Sequence, residues 1–348
     1  MAWWALISAF SASLLVTGLI RALSARFRLV DIPNERSSHS LPVPRGGGLA
    51  IVLVTLSGLF AAGYAGMVDF RISVGVGGAG AAVGLAGLLD DRFGVRASTR
   101  FLVHILAAVW CMGWCWQLLL PVISGSSGLL LACWAMGILF AIVSAVNIFN
   151  FMDGIDGLGG GQGVFVASAA AWFLSIAEQG VPCGFLLAVV AAASAGFLLW
   201  NVSTARIFLG DVGSGFLGFV LSTLPLIGSG HTGIPLAAWL ILWGVFVADA
   251  GTTLIRRILR RERWYAAHRS HAYQVLAQRL SSHKRVASMY MAINVFWLLP
   301  LAWFATQAPP YAEWIACFAI APLIALAWRF GAGAPEVGVR RVRQAAGR

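Results

Sequence analysis

Eleven long apolar stretches set the pattern of this chain: 2–20, 46–68, 72–89, 101–120, 128–149, 162–178, 183–200, 214–230, 234–255, 286–306 and 312–330. Most are close to the roughly 20 residues with which an α-helix crosses a bilayer core. Inside lipid the backbone amides find no water, so a helix, which satisfies them within one segment, is the expected spanning element. The pattern predicts an all-α, polytopic integral membrane protein of about 11 transmembrane helices. Connections such as Asp69-Phe70-Arg71, 178–182 and 229–233 are too short to build anything else. One membrane-embedded domain is expected over 1–330, with a basic cytoplasmic tail at 331–348.

The polar residues divide unevenly between the two sets of alternate loops. Of the 24 Lys and Arg residues, 23 fall in or beside loops 21–45, 90–100, 200–213 and 256–285 or in the tail, and Arg71 alone lies opposite. The positive-inside rule places that set in the cytoplasm, with the N-terminus outside and the C-terminus inside. An odd number of spans agrees. Of the 13 acidic residues only Asp69, Glu178 and Glu313 fall on the far side, so a reaction site is expected to face the cytoplasm. The first apolar segment has no basic leader and runs into Arg21, so it reads as a span rather than a cleaved signal.

Composition narrows the class. The chain is 59% hydrophobic and 11% charged, with a mean hydropathy of +0.84. That excludes a cytosolic globular enzyme, a disordered chain and a nucleic-acid module. The net charge of +11 is read as orientation and contact with anionic lipid, with no nucleic-acid partner. Cys111, Cys115, Cys133, Cys183 and Cys317 all lie in apolar runs and are expected to pack rather than bridge or bind metal.

Five polar segments carry candidate chemistry. In 31–48, Pro33, Pro42 and Pro44 forbid a long helix, and Arg36, His39 and Arg45 could hold phosphate or form a headgroup collar. In 90–100, the adjacent Asp90 and Asp91 are costly at a membrane edge without a cation or partner, and Arg92, Arg96 and Arg100 lie close by. In 147–161, Asn150, Asp153 and Asp156 recur at three-residue spacing, which a helical turn would gather on one face. Their hard oxygens suit Mg²⁺, and the twelve-residue acidic pattern of a Ca²⁺ loop is absent. In 207–215, Asp211 sits in a Gly-rich turn opening the next span, where helix amides favour phosphate. In 256–285, His268 and His271 stand three apart, expected on one helix face, and without a third ligand they suit phosphate better than zinc.

Together these motifs resemble the polytopic polyprenyl-phosphate N-acetylhexosamine-1-phosphate transferases, in order over about 30–285. The WecA/WbpL-type branch, which starts O-antigen and related chains, is more similar than the MraY translocase, since the consecutive His run of the latter is replaced by His268-Arg-Ser-His271. The resemblance implies that undecaprenyl phosphate attacks the β-phosphorus of a UDP-N-acetyl amino sugar of GlcNAc, FucNAc or QuiNAc type, releasing UMP. It implies Mg²⁺, with Mn²⁺ as a substitute, held by Asp211 and Asn150. It places Asp156 at the uracil, Asp153 near the nucleotide, and Asn147 and Arg269 among the substrate-binding residues. Asp90 and Asp91 correspond to the pair that activates or positions the lipid phosphate, and His268 and His271 to the motif near the diphosphate and sugar. Where relatives carry Lys after the aspartate pair, Arg96 or Arg100 must serve here. A multi-pass protein of a bacterial inner membrane follows, and a homodimer is compatible with it.

Physical logic points the same way. Joining two phosphates brings anions together, so positioning and cation shielding should dominate the barrier. The attacking phosphate is already an anion, which favours Asp90 or Asp91 as a positioner or weak base over a covalent nucleophile. The competing class is a transporter or flippase of lipid-linked or nucleotide sugars. Against it, the carboxylates gather on one face, with Asp249 as the exception among span carboxylates, and no internal repeat is visible. Asp249 is expected to cap the basic loop or touch the site, and the span residue His104 to pack.

Overall fold

The computed structural model describes residues 2–31, 42–119, 128–202, 204–262 and 268–335. Helices α1 (Ala2–Leu23), α2 (Gly48–Tyr64), α3 (Phe70–Phe93), α4 (Ala97–Leu119), α5 (Gly128–Met152), α6 (Leu158–Ile176), α7 (Val181–Asn201) and α8 (Gly210–Thr232) follow in order. After them come α9 (Leu236–Leu242), α10 (Gly244–Leu259), α11 (Ala272–Leu280), α12 (His283–Gln307) and α13 (Ala312–Phe330). Nine of the described helices are long and apolar enough to cross a membrane. The other two expected spans are also helical but differ in form. The 46–68 stretch yields only the 17-residue α2. The 234–255 stretch breaks into α9 and α10, which meet at 78°.

That break costs little because its backbone is satisfied from a neighbour. Gln162 of α6 donates to the Leu242 carbonyl at 3.2 Å, and Asn294 of α12 donates to Gln162 at 2.6 Å. Asn294 itself opens a π-turn (Asn294–Leu298) within α12, and a second π-turn (Ser73–Gly77) lies in α3. Non-helical backbone at membrane depth is tolerated where protein supplies such partners.

The bundle is built around α8, whose apolar window is 89% buried, whereas that of α1 at the rim is 17% buried. Cys111, Cys115 and Cys183 pack in the interior as expected, but Cys133 and Cys317 are exposed, and all five are free thiols. The one strand pair among the described residues, β1 (Val30–Asp31) with β2 (Val43–Pro44), is antiparallel, with Val30 opposite Pro44. Beyond β2 the chain binds the segment leading into α8. Phe208 donates to Pro44 at 2.8 Å, and Gly47 and Gly48 donate to Phe208 and Leu209 at 2.9 and 2.8 Å. This ribbon brings Arg45 to the first turn of α8.

Candidate active site

The N-terminus of α8 is the hub. Asp91, on the last turn of α3, is fully enclosed and accepts the backbone N–H groups of Asp211 at 3.0 Å and Val212 at 3.1 Å. Arg45 completes its shell at 3.0 Å. Asp91 thus serves as a cap from another helix, meeting the unsatisfied donors of α8 with a full negative charge. Gly210 makes this approach feasible: its φ is +77°, and a Cβ there would stand 2.5 Å from Asp91 Oδ2. Burial works against the Arg45 charge, but Asp91 and Asp211 outweigh it and hold the guanidinium above its ordinary pKa.

Asp90 faces elsewhere. Its carboxylate accepts the Val95 N–H at 2.6 Å and pairs with Arg100, whose same nitrogen pairs with Asp211. From α5, Asn150 donates to Asp211 Oδ1 at 2.9 Å and to Ser214 Oγ at 3.0 Å. Asp90, Asp211, Asn150 and Arg100 therefore meet at one point. The two neighbouring aspartates are placed differently: Asp91 is enclosed by the start of α8 and Arg45, and Asp90 keeps some exposure. Arg96 stands apart from this cluster: its side chain is exposed, and its carbonyl accepts from Thr99 and Arg100.

The spacing of Asn150, Asp153 and Asp156 does not place them on one helix face. Helix α5 ends at Met152, and Asp153 and Asp156 lie in the turn that joins it to α6. The glycines at 154 and 157 end the helical period that equal spacing suggested. Asp153 folds back on the first turn of α6, where a Cβ at Gly159 would stand 2.2 Å from its Oδ1. Burial, followed by the nearby Asp211 and Asp91 charges, pushes the Asp153 carboxyl well above the usual carboxylate range. Asp156 accepts the Ala205 N–H at 3.1 Å and lies 3.3 Å from His283 Nδ1. The amide of Asn147 is spent on the Val143 carbonyl of its own helix, at 2.7 Å.

The His pair also differs from expectation. Residues 268–270 are irregular and His271 caps α11, so the two do not share a helix face. Their rings nevertheless stack, with centroids 4.9 Å apart. Arg269 is partly buried between them in the chain. The buried Asp249 of α10 holds this end of α11, accepting N–H groups from Ala272 at 2.8 Å and Tyr273 at 2.9 Å and the Tyr290 hydroxyl at 2.7 Å. His271 Nδ1 lies 3.5 Å from the same carboxylate. Tyr273 in turn donates to the Phe151 carbonyl at 3.0 Å, tying α11 to the end of α5. Burial, then the neighbouring His271 and Arg257, lowers the His268 pKa to about 3, which keeps the ring neutral at physiological pH. Arg36 and His39 lie outside the described residues.

Sequence reasoning left three participants without a site role. Ser214 follows Asp211 by one helical turn on the same face, a signal open to inspection. His283 and Tyr273 meet the site only through tertiary contacts. Among the described residues no group of three or more His, Cys, Asp or Glu side chains forms a ready metal cage. A Mg²⁺ ion does not need one, because it commonly keeps several waters and takes one or two carboxylates besides substrate phosphates. The hard oxygens of Asp211, Asn150 and Asp90 suit that chemistry.

The segment 73–229, which holds most of this geometry, matches the model for glycosyl transferase family 4. The chain is 30% identical over 289 residues to the probable undecaprenyl-phosphate N-acetylglucosaminyl 1-phosphate transferase of Bacillus subtilis, covering 81% of this chain and 79% of that one. It is 32% identical over 301 residues to the decaprenyl-phosphate N-acetylglucosaminephosphotransferase of Mycobacterium tuberculosis, covering 78% and 74%. The undecaprenyl-phosphate alpha-N-acetylglucosaminyl 1-phosphate transferase of Escherichia coli is 26% identical over 325 residues, with 89% and 85% covered. With a carboxylate-rich centre at the mouth of a polytopic helical bundle and these relatives along most of its length, the chain belongs to the polyprenyl-phosphate N-acetylhexosamine-1-phosphate transferases of glycosyl transferase family 4.

Proposed function

We propose that this phosphoglycosyltransferase moves a sugar-1-phosphate from a UDP-N-acetyl amino sugar of GlcNAc, FucNAc or QuiNAc type to undecaprenyl phosphate, as the first membrane step of O-antigen or a related glycan. A lipid-phosphate oxygen attacks the β-phosphorus, and the bond from that phosphorus to the bridging oxygen breaks. UMP leaves with the electron pair, and undecaprenyl-diphospho-sugar remains. The observation that carries this reading is the meeting of Asp211, Asn150, Asp90 and Arg100 at the N-terminus of α8.

Each residue has a task that follows from its contacts. Asp211 and Asn150 would hold Mg²⁺, for which Mn²⁺ can substitute, and that ion would draw charge from the diphosphate oxygens. Arg100 supplies a positive charge between two carboxylates and can turn to a phosphate. Asp90 positions the lipid phosphate or acts as a weak base, and its partial exposure supports this over the enclosed Asp91. The 153–157 turn suits the nucleotide end, and His268 with His271 suits the diphosphate and sugar. The gathering of basic loops beside this site supports a cytoplasmic orientation in a bacterial inner membrane.

The test is UMP release by purified protein with undecaprenyl phosphate and a panel of UDP-N-acetyl sugars, with and without Mg²⁺, beside Asp211→Ala. Release that needs lipid and metal, and that the substitution abolishes, is expected. Absence of release from every donor, in folded protein that still binds UDP-sugar, would overturn the reading in favour of transport.

A further inference from the structure

Asp156 is held from two sides. Its Oδ2 accepts the Ala205 N–H of the segment before α8, and its Oδ1 faces His283 Nδ1 at 3.3 Å. Next to it, the Gly157 N–H donates to Asn201 Oδ1 at 2.9 Å, and Asn201 donates on to the Ile207 carbonyl at 3.0 Å. One wall of the 153–157 turn is therefore fastened to the α7–α8 connection. On the other side the only side-chain fastening among the described contacts to Asp156 is His283, the first residue of α12.

His283 belongs to the same hairpin that carries the His pair. Helix α11 begins at His271, is held there by Asp249, and ends just before α12 begins at His283. Tyr273 and His283 thus attach this hairpin to both ends of the short chain between α5 and α6. Both partners of the His283–Asp156 contact are partly open, with side chains 21% and 14% exposed. The pair is partly accessible rather than sealed in the core.

We propose that His283 is a positioning residue for the nucleotide end of the donor: it orients the Asp156 carboxylate that meets the base. This rests on the nucleotide reading of the 153–157 turn. A carboxylate held by the Ala205 N–H and flanked by the His283 imidazole offers one lone-pair direction to a uracil N–H, whereas a freely rotating one does not. The imidazole supplies a donor that a shorter polar side chain can imitate only at Nδ1.

The experiment compares His283→Ala, His283→Asn, Asp156→Asn and the His283→Ala/Asp156→Asn double variant in the full-length protein. Donor KM, acceptor KM and kcat are read from UMP release, and the Kd of UMP from calorimetry. Loss of the 3.3 Å imidazole–carboxylate contact that organises a ligand group predicts about a tenfold rise in donor KM and UMP Kd for His283→Ala. Acceptor KM and kcat should stay within about twofold, and His283→Asn should restore most of the affinity. In the Asp156→Asn background the His283 change should add less than about twofold, because the two act as one unit. Unchanged donor KM and UMP Kd in His283→Ala, with both raised in Asp156→Asn, would overturn the role of His283 and leave the reaction standing. Both parameters unchanged in Asp156→Asn would overturn the nucleotide reading of the turn together with this proposal. A fall in kcat without a change in donor KM would place His283 in the chemistry and overturn the positioning role. Melting temperatures of His283→Asn and wild type guard against a folding defect, since the Asn variant tests the same contact in a smaller perturbation.

Discussion

Asp249→Ala is the sharpest perturbation of the structure around the His pair. The carboxylate is buried in α10 and accepts two backbone N–H groups at the start of α11, the Tyr290 hydroxyl, and the Thr253 hydroxyl at a looser 3.4 Å. Loss of a helix cap costs about 0.5–2 kcal/mol. Leaving the buried Tyr290 hydroxyl unpaired adds about 1–3 kcal/mol. The sum, roughly 2–5 kcal/mol, is a large fraction of the 5–15 kcal/mol that separates a typical folded domain from its unfolded chain. Not all of it need appear as global unfolding. Helix α11 is only 9 residues long and can detach locally, so the penalty is capped by the free energy of its docking. The expected result is fast hydrogen exchange over 272–280, a lowered melting temperature, and loss of kcat because His271 loses its orientation. Asp249→Asn keeps one acceptor oxygen but turns an amide toward donors, so an intermediate effect is expected. Amides of Ala272 and Tyr273 as protected in Asp249→Ala as in wild type, with unchanged melting, would refute the reasoning.

The division of labour between the paired aspartates gives a second expectation. Asp91→Asn should lower the melting temperature, with activity lost through the displaced start of α8, whereas Asp90→Asn should melt like wild type and lose kcat; parallel melting and UMP-release measurements decide it. A third concerns pH. The folded protein holds His268 at about 3, below its ordinary 6.5, so between those values the unfolded chain binds a proton that the folded one refuses. Stability should therefore fall as pH drops from about 6.5 toward 3, and His268→Gln should flatten that part of the profile in denaturation midpoints taken at stepped pH.

How much of this was legible beforehand follows from the range over which each cost acts. A backbone in lipid must satisfy itself locally, so each span is written as an apolar run, and all eleven expected spans are helical. The break between α9 and α10 was invisible because both halves are apolar and the partner of its open carbonyl, Gln162, lies on another helix. Charged groups at a membrane edge are expensive, so Asp90, Asp91 and Asp211 stood out, but adjacency in the chain said nothing about which way each side chain turns. That was decided by the amides of Asp211 and Val212, which claim Asp91 from a helix more than a hundred residues away. The equal spacing of Asn150, Asp153 and Asp156 misled for the converse reason: a period implies one face only while the helix continues, and this helix stops at Met152. Asp249 combines both lessons. A lone carboxylate in a span announces that something must satisfy it, yet two of its partners are backbone donors that exist only once α11 has begun. Its charge and its capping of the basic loop were readable, whereas the particular donors were not, because two are backbone groups of a helix start and a third, the Tyr290 hydroxyl, reaches it only through tertiary packing.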